Sequence, residues 1–265
     1  MKRLTAILLL ISLALGLAAC GGEPEPTPDP HEGMIYVNTG AGEEWVDEAE
    51  GVPVSQLSES DFETGEDGIP VYTGDVYETR LGIDVSFYQG DIDWQAVADA
   101  GIEFAMIRCG YRGSSEGELF VDEKFEQNMQ GAIDAGLDVG VYFFSQSMGA
   151  IEAAEEALFV LDLIKDYDIS MPVAFDWEPL EDSRAEDIND EELTASALVF
   201  CEMIKDAGYT PCVYFYRYIA YHDYDLSRLA DFPFWIGAPG SAPDFYYEAA
   251  IWQFSFTSRI DLSLI

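Results

Sequence analysis

Two carboxylates stand two residues apart in the run Val173-Ala174-Phe175-Asp176-Trp177-Glu178-Pro179. The run is otherwise apolar or aromatic and reads as a buried strand. Residues i and i+2 of a strand share a face, so Asp176 and Glu178 project together from its C-terminal end, roughly 6–7 Å apart at the backbone. A carboxylate pair in a concave site suits cleavage of a glycosidic bond. One group protonates the leaving oxygen and the other stabilises the oxocarbenium-like transition state. Glu178 is the candidate general acid, its pKa raised by its neighbour and by partial burial, and Asp176 is expected to stay ionised. The spacing lies between the retaining and inverting ranges, so the stereochemistry is left open. A D-x-E pair alone also fits a solvated strand end, and the surrounding elements must decide.

From Leu81 onward, strands and helices alternate. Strands are expected at Leu81–Ser86, Ile102–Cys109, Leu137–Phe144, Pro172–Trp177, Tyr209–Tyr216, Phe232–Ala238 and Ala250–Phe254. Helices are expected at 93–101, with an acidic start and a glycine stop, at 122–136, at 150–167, long and amphipathic, and at 190–208, again capped. Repeated β-α units predict parallel strands with helices outside, closed into an irregular TIM-like barrel. The last strands lack long helices between them, so that side should be irregular. Chemistry on such a barrel sits at the C-terminal mouth of its strands. Asp84 ends the first strand, Ser145 and Gln146 follow the third, and Asp261 in the tail is expected to return to the same mouth. Acidic groups gathered from different strands are hard to explain by solvation.

Those residues carry a resemblance. Gly82-Ile83-Asp84-Val85-Ser86, Gly90-Asp91-Ile92-Asp93-Trp94 and Phe104 to Tyr111 are similar to the opening of glycoside hydrolase family 25, the Chalaropsis-type lysozymes or N-acetylmuramidases. Ala135 to Ser145 resembles its third strand and Asp176-x-Glu178 its catalytic pair. Gly208 to Tyr214, Phe234-Trp235-Ile236, Ile251-Trp252-Gln253-Phe254 and Ile260-Asp261-Leu262 resemble its later strands. The resemblance covers residues 81–265 and implies a (β/α)5(β)3 barrel. It implies hydrolysis of the β-1,4 bond between N-acetylmuramic acid and N-acetylglucosamine in peptidoglycan, in wall catabolism or remodelling. Catalytic candidates are Glu178, Asp176, Asp84 and Asp261, the last two orienting water or sugar or tuning the pair. Tyr111, Tyr142, Tyr214 and Trp235 are candidates for stacking on sugar faces. A monomer acting on glycan strands, without cofactor or metal, is expected.

The chain departs from the family pattern in two places. Only Ser255 to Ile260 separate Phe254 from Asp261, where the family has a longer loop. Gly237-Ala238-Pro239-Gly240 replaces a segment that often carries a tyrosine, and the tyrosine-rich stretch Phe215 to Asp225 is expected to rebuild that wall. A chitinase-type site would want aspartate where Ala174 stands. The alternative of another class is a peptidoglycan-binding lipoprotein without turnover.

Residues 1–19 read as a lipoprotein signal: Lys2 and Arg3, an apolar run from Leu4 to Leu17, then Ala18-Ala19-Cys20, with Cys20 as the lipid attachment site. The protein is thus expected outside the cytoplasm, held to a bacterial membrane. Residues 20–80 carry sixteen acidic groups against one basic one and begin with a Pro/acid spacer, which predicts a largely unstructured tether. Within it, Ile35-Tyr36-Val37, Trp45-Val46 and Val71-Tyr72 fit short strands or docking segments. A net charge of −39 over 265 residues excludes nucleic acid as a partner and argues against adhesion to anionic surfaces, so glycan must be held by stacking and hydrogen bonds. His31 and His222 stand too far apart in the chain to suggest zinc, and Cys109, Cys201 and Cys212 fit buried thiols, although Cys201 and Cys212 flank one turn.

Overall fold

The computed structural model describes residues 29–65 and 68–256, and the backbone of 261–264. The signal segment and Cys20 lie outside the described residues. Residues 33–265 form one compact unit.

That unit begins before the expected boundary. β1 (Met34–Asn38) and β2 (Glu43–Asp47) pair as one antiparallel hairpin, β3 (Phe62–Thr64) and β4 (Pro70–Tyr72) as another. The largely unstructured tether expected here is therefore corrected for this stretch. The period-two pattern outweighs the charge: Ile35, Val37 and Val46 point inward with Val52, while Glu43 and Asp47 stay exposed. The segment is tied to the barrel domain by main-chain bonds from Ser55 N to Tyr246 O (2.9 Å) and Glu248 N to Pro53 O (2.8 Å). The Tyr247 hydroxyl accepts from Ala49 N (2.6 Å), and the Phe62 ring meets the edge of Trp252 at 5.3 Å. Each apolar side chain buried here is worth roughly 1.5–3 kcal/mol. A protein starting at residue 81 is expected to melt lower than one starting at residue 33, by about ten degrees or more. Calorimetry on the two forms checks this.

The barrel strands are β5 (Leu81–Val85), β6 (Phe104–Arg112), β8 (Asp138–Ser145), β9 (Val173–Trp177), β10 (Pro211–Tyr216), β11 (Phe234–Gly237), β12 (Ile251–Ser255) and β13 (Asp261–Leu264), with β7 (Leu119–Val121) folding back on the end of β6. Their order is β5-β13-β12-β11-β10-β9-β8-β6, and a β5–β6 pairing closes the ring. All neighbours run parallel except around β13, which is antiparallel to β12 and β5. Helices α1 (Trp94–Asp99), α2 (Phe125–Asp134), α3 (Ala150–Ile164), α4 (Asp190–Asp206) and α5 (Arg217–His222) each follow one of the first five barrel strands. This is the expected (β/α)5(β)3 order.

Two apolar layers hold it. Ile83, Val85, Ala105, Ile107, Val139, Val141, Phe175 and Val213 face the helices. The alternate residues Phe104, Met106, Ala174, Cys212, Trp235 and Ile251 fill the barrel. Gly82 is required there, because a Cβ at this position would collide with the Phe104 ring. Helix ends follow ordinary capping: the Asp93 side chain accepts from Ala96 N, and Asn189 accepts from Glu192 N. Cys109, Cys201 and Cys212 are buried free thiols.

Candidate active site

The alternation that packs the barrel also builds its mouth. Asp84 of β5, Arg108 of β6, Tyr142 of β8, Asp176 of β9, Tyr214 of β10, Trp235 of β11 and Gln253 of β12 all line one cleft of about 940 Å³. Register makes neighbours of them: Arg108 lies opposite Tyr142, and Tyr214 lies between Asp176 and Trp235. Glu178 stands just past the end of β9 on the same wall, half-buried. Gln146, after β8, donates from Nε2 to the main-chain oxygen of Glu178 at 2.9 Å and so fixes the loop that carries it.

Asp176 is buried, and its Oδ1 has no hydrogen-bond partner among the described residues. Burial pushes its carboxyl well above the usual carboxylate range; the charges of Glu178 and Asp84 push the same way and Arg108 opposes them. This environment works against the ionised form expected of Asp176. A carboxylate on the floor of the cleft loses more hydration than one at its lip.

Asp84 is also buried, and both its oxygens accept from Gln253 Nε2, at 3.1 and 3.0 Å. Gln253 Oε1 in turn accepts from the Tyr214 hydroxyl at 2.8 Å, which sets the amide's orientation. Gly237 makes room for that pair: a Cβ there would lie 2.8 Å from the Tyr214 hydroxyl oxygen and 3.3 Å from Gln253 Oε1. The departure from the family pattern at Gly237 thus has a local cause. Burial raises the Tyr142 and Tyr214 phenols, keeping them neutral donors.

All four aromatic candidates reach the cleft. Tyr142 and Tyr214 meet Trp235 edge-on at 5.9 and 4.9 Å, and Tyr111 stacks on Phe120 at 5.2 Å. Trp235 and Tyr214 are buried in the floor, whereas exposed rings at the rim come from Tyr88, Phe120 and Phe256. Of the tyrosine-rich stretch after β10, Tyr216 lines the cleft, while Tyr221 and Tyr224 pack behind it. Asp261 pairs in register with Asp84, which brings its backbone to the same mouth; its side chain lies outside what is described.

The sequence reading passed over Arg108, Gln253 and the rim rings Tyr88 and Phe120. The signal for the first two was parity alone: each lies at an inward position of its strand. Among the described residues, no group of three or more His, Cys, Asp or Glu is placed to hold a metal ion.

A barrel with parallel strands, whose mouth gathers buried carboxylates and sugar-sized aromatic walls, defines a glycosidase-type scaffold. Residues 83–261 match glycosyl hydrolases family 25, and the chain belongs to that family. It is 26% identical over 181 residues to the autolytic lysozyme of Clostridium acetobutylicum, covering 68% of this chain and 52% of that protein. Against lysozyme M1 of Streptomyces globisporus it is 30% identical over 151 residues, covering 57% and 44%. The chain thus spans about half the length of these curated relatives. A family 25 glycosyl hydrolase of Bacillus anthracis superposes with a TM-score of 0.58 at 25% identity, covering 72% of this chain and 90% of that one. The modular autolysin LytC of Streptococcus pneumoniae, solved with a synthetic peptidoglycan ligand, shares the fold with a TM-score of 0.62 at 22% identity, covering 88% and 56%.

Proposed function

We propose that the protein is a lysozyme that hydrolyses the β-1,4 bond between N-acetylmuramic acid and N-acetylglucosamine in peptidoglycan. The observation that carries this is the Asp176/Glu178 pair, set at the barrel mouth of a family 25 chain in a cleft walled by aromatic rings. In this reading Glu178, at the lip, protonates the leaving oxygen. Asp176, with a buried and unpartnered Oδ1, receives the acetamido N–H of the sugar. That bond favours the ionised form of Asp176 and offsets the burial that opposes it, so the pair's proton is drawn towards Glu178 as substrate seats. The acetamido oxygen, oriented by Asp176, stabilises the developing cation. Asp84, gripped by Gln253, keeps negative charge beneath the pair, and Asp261 approaches it from β13. Tyr111, Tyr142, Tyr214 and Trp235 shape the sugar subsites.

Gln253→Ala removes the Nε2 donor shared by the two Asp84 oxygens and the acceptor for Tyr214. It is expected to lower kcat by about ten- to a hundredfold with little change in KM, read from reducing-end release on purified walls. The assignment itself is tested by digesting peptidoglycan, reducing the products with borohydride and identifying the reduced sugar. Muramic acid at the new ends supports the reading; N-acetylglucosamine ends reject it. Binding without release returns the non-catalytic wall-binding reading.

The basic and apolar start ending in Leu17-Ala18-Ala19-Cys20 supports cleavage before Cys20, a lipid on its sulfur and a position on the outer face of a bacterial membrane. Among the described residues no helix is long and apolar enough to cross a membrane.

A further inference from the structure

The cleft is lined by Asp84, Asp176 and Glu178, and by Glu116 and Glu118 at its edge, in a chain of net charge −39. Muramic acid differs from glucosamine by one substituent, a lactyl ether that ends in a carboxylate or, where a peptide is attached, an amide carbonyl. Both ends are hydrogen-bond acceptors, and an acidic cleft repels the first. Two cations line the cleft, Arg108 and Arg112. Arg112 is fully engaged: Nε meets Glu156 at 2.7 Å, Nη1 meets Gly117 O at 2.7 Å, and Nη2 meets Glu152 O at 2.8 Å and Glu155 at 3.2 Å. Arg108 is not. Its Nε donates to Asp122 Oδ2 at 2.8 Å, and Nη2 is buried with no partner among the described residues.

The surroundings of Arg108 hold it in place without using its fork. Asp122 is itself anchored, accepting also from Phe87 N at 3.1 Å and Lys124 N at 2.9 Å. The rings of Phe87, Tyr88 and Tyr111 stand 5.1, 5.3 and 5.4 Å from the guanidinium carbon. The side chain is only 9% exposed, so an unsatisfied donor there is an exception that needs an explanation. A planar cation held at one nitrogen, with its terminal N–H groups unpartnered, fits an incoming acyl oxygen.

We propose that Arg108, oriented by Asp122 and enclosed by Phe87, Tyr88 and Tyr111, binds the lactyl acyl oxygen of the muramic residue and sets the preference for muramic acid over glucosamine. This rests on the muramidase reading and specifies its sugar recognition. The test measures binding by calorimetry in the non-hydrolysing Glu178→Gln background. The probes are three tetrasaccharides: alternating muramic acid and glucosamine with free lactyl carboxylates, the same with lactyl amides, and a lactyl-free N-acetylglucosamine tetramer. Arg108→Lys keeps the charge opposite Asp122 and loses the fork, while Arg108→Gln with Asp122→Asn removes the ion pair without leaving a lone charge. Both are expected to weaken the muramic ligands about tenfold or more and leave the lactyl-free tetramer unchanged, with melting curves confirming folded protein. A larger loss for the carboxylate form assigns the carboxylate as the ligand; an equal loss for both forms assigns the carbonyl. Equal weakening of all three probes, no weakening, or a parent that binds all three alike overturns the proposal. The reducing-end digest of the unmutated enzyme reports separately on the bond cleaved, so failure of the muramidase reading is not confused with failure of Arg108.

Discussion

Replacing Glu178 by glutamine is expected to lower kcat on peptidoglycan by about a thousandfold or more, with KM within a few-fold of the parent. General acid catalysis by a positioned carboxyl contributes about 10²–10⁴ in rate, and an amide of the same shape has no proton to give the leaving oxygen. The interaction lost exists only as the bond breaks, so the loss should fall on kcat and on kcat/KM alike. The fold should not notice. Glu178 lies past the end of β9, and the loop that bears it is fixed through its main-chain oxygen by Gln146, which glutamine at 178 leaves intact. Unchanged melting with lost turnover is therefore the expected pair of readings. Turnover within tenfold of the parent would mean that another group supplies the proton, and Asp176 is the carboxyl placed to do so.

The fold was legible because the central barrel strands are apolar on both faces. Val173-Ala174-Phe175 and Phe104 to Ile107 are continuous apolar runs, as strands buried on both faces require, and the helices between successive strands leave only a parallel arrangement. Edges were harder. β7 is three residues long, and α5 follows β10 without a break, so neither leaves a periodic signal. The acidic stretch before the barrel misled for a physical reason: charge was summed over a segment in which most of the described acids are exposed, while four β-branched residues at Ile35, Val37, Val46 and Val52 carry the docking. Of the residues that line the cleft, Asp84, Asp176 and Glu178 were picked out by residue type at strand ends and the aromatic four as rings able to stack on sugar. Arg108 and Gln253 were missed because a cation or an amide at one inward position has no meaning until the register shows what lies beside it. The burial that opposes ionisation of Asp176 escaped notice for a related reason, since depth in the cleft is not written in a D-x-E spacing.

Asp176→Asn is expected to separate stability from activity. Burial, with the charges of Glu178 and Asp84, raises the Asp176 carboxyl in the folded protein above its value in the unfolded chain. The folded state therefore binds more protons than the unfolded state as pH rises past about 3.8, and stability falls with pH in that window. Its contribution is fully present below the unfolded value and is lost as pH rises towards the folded value. Asparagine cannot ionise and has nearly the same shape. The variant should consequently melt higher than the parent at pH 7, by about 2–4 °C for each kcal/mol of relief, and the advantage should shrink as pH is lowered towards 4. Activity should move the other way, falling by about a hundredfold or more, because the amide cannot become the anion that orients the acetamido group. The parent's kcat/KM should also decline on the alkaline side, where the pair loses the proton that Glu178 must deliver. A variant that melts lower than the parent at neutral pH would show that the ionised carboxylate stabilises the barrel mouth. One that keeps most of its turnover would remove Asp176 from the mechanism and leave Glu178 acting with Asp84 alone.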